Sequence, residues 1–145
     1  MDKTYQALHE DKIYMGGAAD VEAMVKQEGV QVIVDLREEA TGCAYPDSNV
    51  SWIKIGIGDH AESPQEDLFR QAIDQVVETY RDGKNVGFHC GGGKGRTGAV
   101  AIGTLLTLGK ASSIEEAEKM AKAIRPVINI REPQREALEK LFNSI

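Results

Sequence analysis

The chain is poor in the residues that mark several large classes of protein. Its 145 residues contain only two cysteines, Cys43 and Cys90, so no disulfide framework is available and a reducing compartment suits it. It has no excess of positive charge: 17 Lys and Arg against 23 Asp and Glu give a net charge of −6. That balance argues against nucleic acid or an anionic membrane as the main partner. Long hydrophobic runs are missing too. The longest, around Ala99 to Leu108, is far too short to span a bilayer. Metal ligands are scarce. His89 and Cys90 adjoin in a β-prone run and should point to opposite faces, and the rest are His9, Cys43 and His60. No metal and no cofactor are expected. Met1-Asp2-Lys3-Thr4-Tyr5 carries no apolar signal core, so a cytoplasmic protein is expected.

What is present fits one folded domain over residues 1–145. A hydrophobic fraction of 41% and a charged fraction of 28% are ordinary for a globular protein, and the length suffices for a real core. Residues 1–11 look like a polar lead-in. Ile13 to Met15 forms a brief strand before Gly16-Gly17, and Asp20 is placed to cap a helix through Gln27 that Gly29 stops. Val30 to Leu36 is a strand buried on both faces. Residues 37–50 form a polar surface loop, and Trp52 to Ile57 alternates as a third strand.

Ser63-Pro64-Gln65-Glu66 reads as a capping box that starts a long amphipathic helix ending at Gly83. Val86 to His89 is a fourth strand, and a largely apolar helix follows it, stopping at Gly109. Ser113-x-x-Glu116 opens a further helix that Arg125-Pro126 closes. A last helix begins near Pro133 and buries Leu138, Leu141 and Phe142. Strands alternating with helices predict an α/β fold: a central, mostly parallel sheet of four or five strands with helices on both faces.

One stretch states a chemistry. Cys90 ends a strand; Gly91, Gly92, Gly93, Lys94 and Gly95 follow; Arg96 and Thr97 open a helix. Successive amides of a glycine-rich turn can point into one concavity, and a helix N-terminus adds unsatisfied donors there. Such a nest suits a tetrahedral dianion. A cysteine at its rim is favoured as thiolate, and the planar fork of Arg96 matches two phosphate oxygens. Lys94 adds positive charge at the rim. A nucleotide-binding loop is excluded, because Lys94 is followed by Gly95 and the first glycine slot holds Phe88. Rhodanese-like loops differ in their Cys-to-Arg spacing.

His89-Cys90-x-x-Gly93-x-x-Arg96-Thr97 resembles the signature of the cysteine-dependent protein tyrosine phosphatases. Ile13-Tyr14-Met15-Gly16, Val34-Asp35-Leu36-Arg37 and an acidic residue after the third strand resemble the compact dual-specificity branch. The resemblance implies a phosphomonoester hydrolase that removes phosphate from phosphotyrosine, and in some cases phosphoserine or phosphothreonine, through a cysteinyl-phosphate. It implies Cys90 as nucleophile, Arg96 and the 91–96 amides as phosphate ligands, and Asp59 as general acid, with Asp47, Glu62 and Asp67 as competitors. Thr97 would hydrogen-bond the sulfur, His89 would orient the loop, and Gln134 would place the hydrolytic water. Tyr45 or the 37–50 loop is a candidate pocket wall.

In some relatives a second cysteine protects the nucleophile as a disulfide. Cys43, in a loop, is poorly placed for that. The expected partner is a phosphorylated protein or peptide, and the chain is expected to be monomeric. The alternative substrate class is inositol phosphates or phosphoinositides, although Gly91 stands where those enzymes usually carry a base. A non-catalytic phospho-binding module would be expected to lose Cys90, Arg96 or the acid.

Overall fold

The computed structural model describes residues 4–46 and 49–142. Five strands, β1 (Gln6–His9), β2 (Ile13–Gly17), β3 (Val32–Arg37), β4 (Ser51–Ile57) and β5 (Val86–Cys90), form one sheet in the order β1-β2-β5-β3-β4. Only the β1–β2 pair is antiparallel. Five helices complete the fold: α1 (Val21–Glu28), α2 (Glu66–Arg81), α3 (Arg96–Thr107), α4 (Ile114–Ile124) and α5 (Glu132–Phe142). The expected α/β architecture is therefore present, and its strand count is five. Among the described residues no helix is long and apolar enough to cross a membrane.

The strand period of two divides the core. Val86, Phe88 and Cys90 of β5 face a cluster built from α2, α3, α4 and α5, with Val34, Leu36 and Ile57 in the same layer. On the other face α1 lays Val21 and Met24 against Tyr14 and Ile33. Gly87 lets that helix approach, since a Cβ there would stand 2.7 Å from the Met24 sulfur. Each fully buried side chain of this size contributes about 1.5–3 kcal/mol. α3 is buried on every side from Arg96 to Leu105, which fixes the segment following the glycine stretch.

Three local expectations are corrected. The lead-in at residues 4–11 contains β1, an edge strand, which buries Leu8 and pairs with β2. Four residues with irregular register leave too little alternation to see in sequence. Ser63 does not cap α2. Gln65 takes a left-handed φ of 56°, so Ser63 and Pro64 lie outside the helix, and the Gln65 side chain accepts a bond from the Gly58 N–H. Asp20 precedes α1, yet its carboxylate accepts from the Gly17 N–H and the Thr4 hydroxyl. Ser113 does cap α4, accepting from the Glu116 N–H at 3.1 Å, while Glu116 reaches back to Ser112. Gly29, Gly83 and Gly109 end their helices with φ of 66°, 82° and 74°.

Candidate active site

The glycine stretch leaves β5 at the carboxyl edge of the sheet and enters α3, where parallel sheets place ligands. Its geometry follows from where its carbonyls go. The Cys90 carbonyl bonds the His89 ring at 2.9 Å, and the Gly91 carbonyl accepts from the Ala18 N–H at 3.0 Å. The Gly92 and Gly93 carbonyls accept from the Arg125 guanidinium at 3.4 and 2.8 Å. The Lys94 carbonyl accepts from Asn129 at 3.2 Å, and the Gly95 carbonyl from Ala99 at 2.9 Å. Six consecutive carbonyls are thus tied to donors behind the loop, which turns the amides to the front.

Gly93 alone in this loop requires its glycine on both counts. Its φ is +73°, and a Cβ would stand 2.4 Å from Arg125 Nη2 and 2.8 Å from the Gly16 backbone. Gly92 has nothing within 4 Å of a built Cβ, so the pattern tolerates a side chain there.

The Cys90 sulfur lies at the floor of this concavity, 3% exposed as a residue. It accepts from the Gly93 N–H at 3.2 Å and from the Thr97 hydroxyl at 3.1 Å. That hydroxyl also lies 3.2 Å from the Gly16 carbonyl; one proton serves either the sulfur or the oxygen.

Arg96 supplies the fork. Nη1 donates to Glu39 Oε1 and to the Ile57 carbonyl at 2.9 and 2.8 Å, and Nη2 donates to Glu39 Oε2 at 3.0 Å. Nε is buried without a hydrogen-bond partner, 3.7 Å from Asp59 Oδ1. Burial opposes the Arg96 charge, but Glu39, Cys90 and Asp59 outweigh it, so its pKa lies above the ordinary value. Hydrogen bonds from Arg96 hold the Glu39 carboxyl down to about 2.

Asp59, in the loop after β4, stands between Arg96 and the start of α5. Arg131 Nη2 lies 3.3 Å from Oδ2, and Gln134 Nε2 lies 3.4 Å from Oδ1. Gln134 is buried, accepts from the Arg131 N–H, and overlies Gly95, where a Cβ would come within 2.9 Å of its Oε1. Glu62 and Asp67 are exposed and outside this cluster; Asp47 lies outside the described residues. Lys94 is exposed at the rim. His89 points to the opposite face from Cys90, fully buried, with Nε2 3.8 Å from Asp35. Burial pushes its pKa below the ordinary value, and its Nδ1 meets the Cys90 carbonyl.

Sequence reasoning missed Glu39, Arg125 and Arg131. Glu39 lies inside the stretch read as a polar surface loop, yet a tight turn from Arg37 to Ala40 brings it back over the strand ends. The alternation Asp35, Arg37, Glu39 was the available signal. The 37–50 loop does supply a wall, but through Glu38 and Glu39, which with Gly58, Asp59 and His60 line a cleft of about 440 Å³. Tyr45 is elsewhere. It borders a cavity of about 540 Å³ with Val30, Val50 and Lys84, beside the amino ends of β3 and β5. That cavity is larger but holds none of the chemistry. Cys43 is a free, partly exposed thiol. Among the described residues no cluster of three His, Cys, Asp or Glu side chains could hold a metal ion.

A search of curated protein sequences found no match. Solved structures do match. A mouse putative dual specificity phosphatase complexed with zinc tungstate superposes with a TM-score of 0.83 at 19% identity, covering 99% of this chain and 89% of that one. Human DUSP28 gives 0.79 at 21%, covering 99% and 95%. PTPMT1 in complex with PI(5)P gives 0.80 at 19%, covering 97% and 95%. At such identities the likeness is one of fold. The family model described as dual specificity phosphatase, catalytic domain, matches residues 13–143, and the chain belongs to that family of cysteine-based protein tyrosine and dual-specificity phosphatases.

Proposed function

We propose that this phosphatase hydrolyses phosphotyrosine in proteins or peptides, and phosphoserine or phosphothreonine where the cleft admits them. The observation that supports it most is the outward anchoring of all six carbonyls from Cys90 to Gly95, with the buried Arg96 Nε left without a hydrogen-bond acceptor. A bound phosphoryl group gives that N–H and the loop amides their acceptors.

In the first step the Cys90 thiolate forms an S–P bond as the P–O bond to the leaving group breaks. Asp59 gives its proton to the departing oxygen, which would otherwise leave as a poor alkoxide or phenoxide. In the second step water attacks phosphorus and loses a proton to the Asp59 carboxylate. The S–P bond breaks, and inorganic phosphate and the thiolate are regenerated. Gln134, beside both Asp59 and Gly95, orients that water. Thr97 donates to the sulfur as it departs. His89 holds the loop through the Cys90 carbonyl, and Lys94 draws the dianion to the rim.

The second reading is an inositol-phosphate or phosphoinositide phosphatase. The likeness to PTPMT1 in complex with PI(5)P keeps it in play. The carboxylates of Glu38 and Glu39 beside the cleft disfavour a substrate carrying several phosphates. Two free cysteines suit a reducing, cytoplasmic setting under either reading.

A panel of phosphopeptides and inositol phosphates, run with and without chelator, tests the assignment. Turnover of phosphotyrosyl peptides unaffected by chelator is expected. Preference for inositol phosphates would transfer the function to the second reading. Cys90→Ser should abolish turnover while vanadate still binds, and substantial activity in that variant would exclude the covalent route.

A further inference from the structure

Arg125 is a buried cation that the chemistry above does not use. It follows α4 and precedes Pro126, which forces it out of helical geometry to φ −130°, ψ 91°. That turn sends its side chain back beneath the glycine loop. Nε donates to the Gly93 carbonyl at 2.8 Å and Nη2 to the Gly92 carbonyl at 3.4 Å. Nη1 donates to the Thr4 carbonyl at 2.7 Å and to Gln6 Oε1 at 2.8 Å. The residue is 5% exposed.

Among the described residues no carboxylate pairs with this guanidinium. Asp20 and Cys90 act on it electrostatically without offsetting the cost of its burial. A buried cation held only by neutral acceptors is costly to keep, and apolar packing would stabilise the fold more cheaply. What it gains is specific to the loop. Arg125 holds two of the six outward carbonyls, those flanking the N–H that reaches the sulfur, and adds a fixed positive charge behind the nest. The shallow cleft of about 310 Å³ lined by Thr4, Gln6, Gly92, Lys94, Arg125 and Pro126 leaves the guanidinium reachable from solvent.

We propose that Arg125 is the positioning residue of the phosphate loop, clamping the Gly92 and Gly93 carbonyls outward so that the amides and the Cys90 sulfur are set for a phosphoryl oxyanion. The proposal rests on the active-site reading above.

It is tested with Arg125→Met, Arg125→Lys, Arg125→Ala and Gln6→Ala, using p-nitrophenyl phosphate, vanadate inhibition, circular dichroism and melting temperature. In a folded Arg125→Met, kcat/KM should fall about 100-fold and vanadate inhibition weaken about tenfold, the scale of one lost oxyanion contact. Arg125→Lys should recover part of both, keeping the charge but not the fork. Millimolar guanidinium should restore Arg125→Ala with saturation while leaving the wild type unchanged, a response that lost packing alone does not give.

Arg125→Met within threefold of the wild type, or Arg125→Ala folded and not rescued, would overturn the proposal. If these variants do not fold, Gln6→Ala, which loosens the outer anchor, decides: about a threefold weaker vanadate inhibition supports the clamp, and unchanged inhibition overturns it. An inactive wild type would instead remove the active-site reading itself.

Discussion

Glu39 grips both terminal nitrogens of Arg96, at 2.9 and 3.0 Å, and leaves Nε as the nitrogen without a partner. The carboxylate therefore sets the rotation of the guanidinium plane and decides which edge is offered to a phosphate. Glu39→Gln keeps the shape but loses the charge-assisted pair. We expect kcat/KM to fall about tenfold, with vanadate inhibition weakened in parallel. The pH dependence follows from the pair. Because Glu39 is held down to about 2, its charge persists throughout the working range and is lost only as pH falls toward that value. Any loss of activity in the wild type at pH values well above that point belongs to another group and should survive in Glu39→Gln.

Asp59→Asn removes the proposed acid while preserving its contacts with Gln134. Aryl phosphates with poor leaving groups should lose about 10²–10³ in kcat, and those with good leaving groups much less. The slope of log kcat against leaving-group pKa measures this. An unchanged slope would move the acid elsewhere in the cleft.

Thr97→Ala deletes the hydroxyl 3.1 Å from the sulfur. A thiolate that loses this donor leaves phosphorus less readily, so breakdown of the cysteinyl-phosphate should slow about tenfold. Rapid-quench experiments should then show a burst of phenol followed by slow turnover. Thr97→Ser should restore the rate. A first step slowed equally would show that the hydroxyl serves the loop rather than the departing sulfur.

Asp35 is fully buried in β3 and accepts from Arg37 and from the Trp52 indole. Burial pushes its carboxyl upward, but Arg37, His89 and Trp52 more than offset that, so it lies below its ordinary value. A depressed folded-state pKa gives stability that is present above the unfolded value near pH 4. That stability is lost as pH falls through the folded value. Melting temperature should thus drop below about pH 4 in the wild type. Asp35→Ala, leaving Arg37 and Trp52 unpaired, should cost about 3 kcal/mol at neutral pH and flatten that acid limb.

Strand alternation placed Phe88 and Cys90 on one face and His89 on the other, and the glycine stops at Gly29, Gly83 and Gly109 needed no tertiary context. The start of α2 did need it, because the left-handed Gln65 answers to Gly58, seven residues earlier. β1 was hidden for a similar reason: its partner, not its own pattern, makes it a strand.

The sequence by itself determined the fold class and the nest around Cys90, since periodicity, glycine conformation and the Cys-to-Arg spacing are local properties. It could not show what stands behind and beside that nest. Glu39 lies 57 residues from Arg96, and Arg125 lies 32 from Gly93; separations of that size are closed only by folding. Only the tertiary structure decided which carboxylate holds the arginine fork and which buried cation holds the loop, because contacts between distant elements leave no period in the chain.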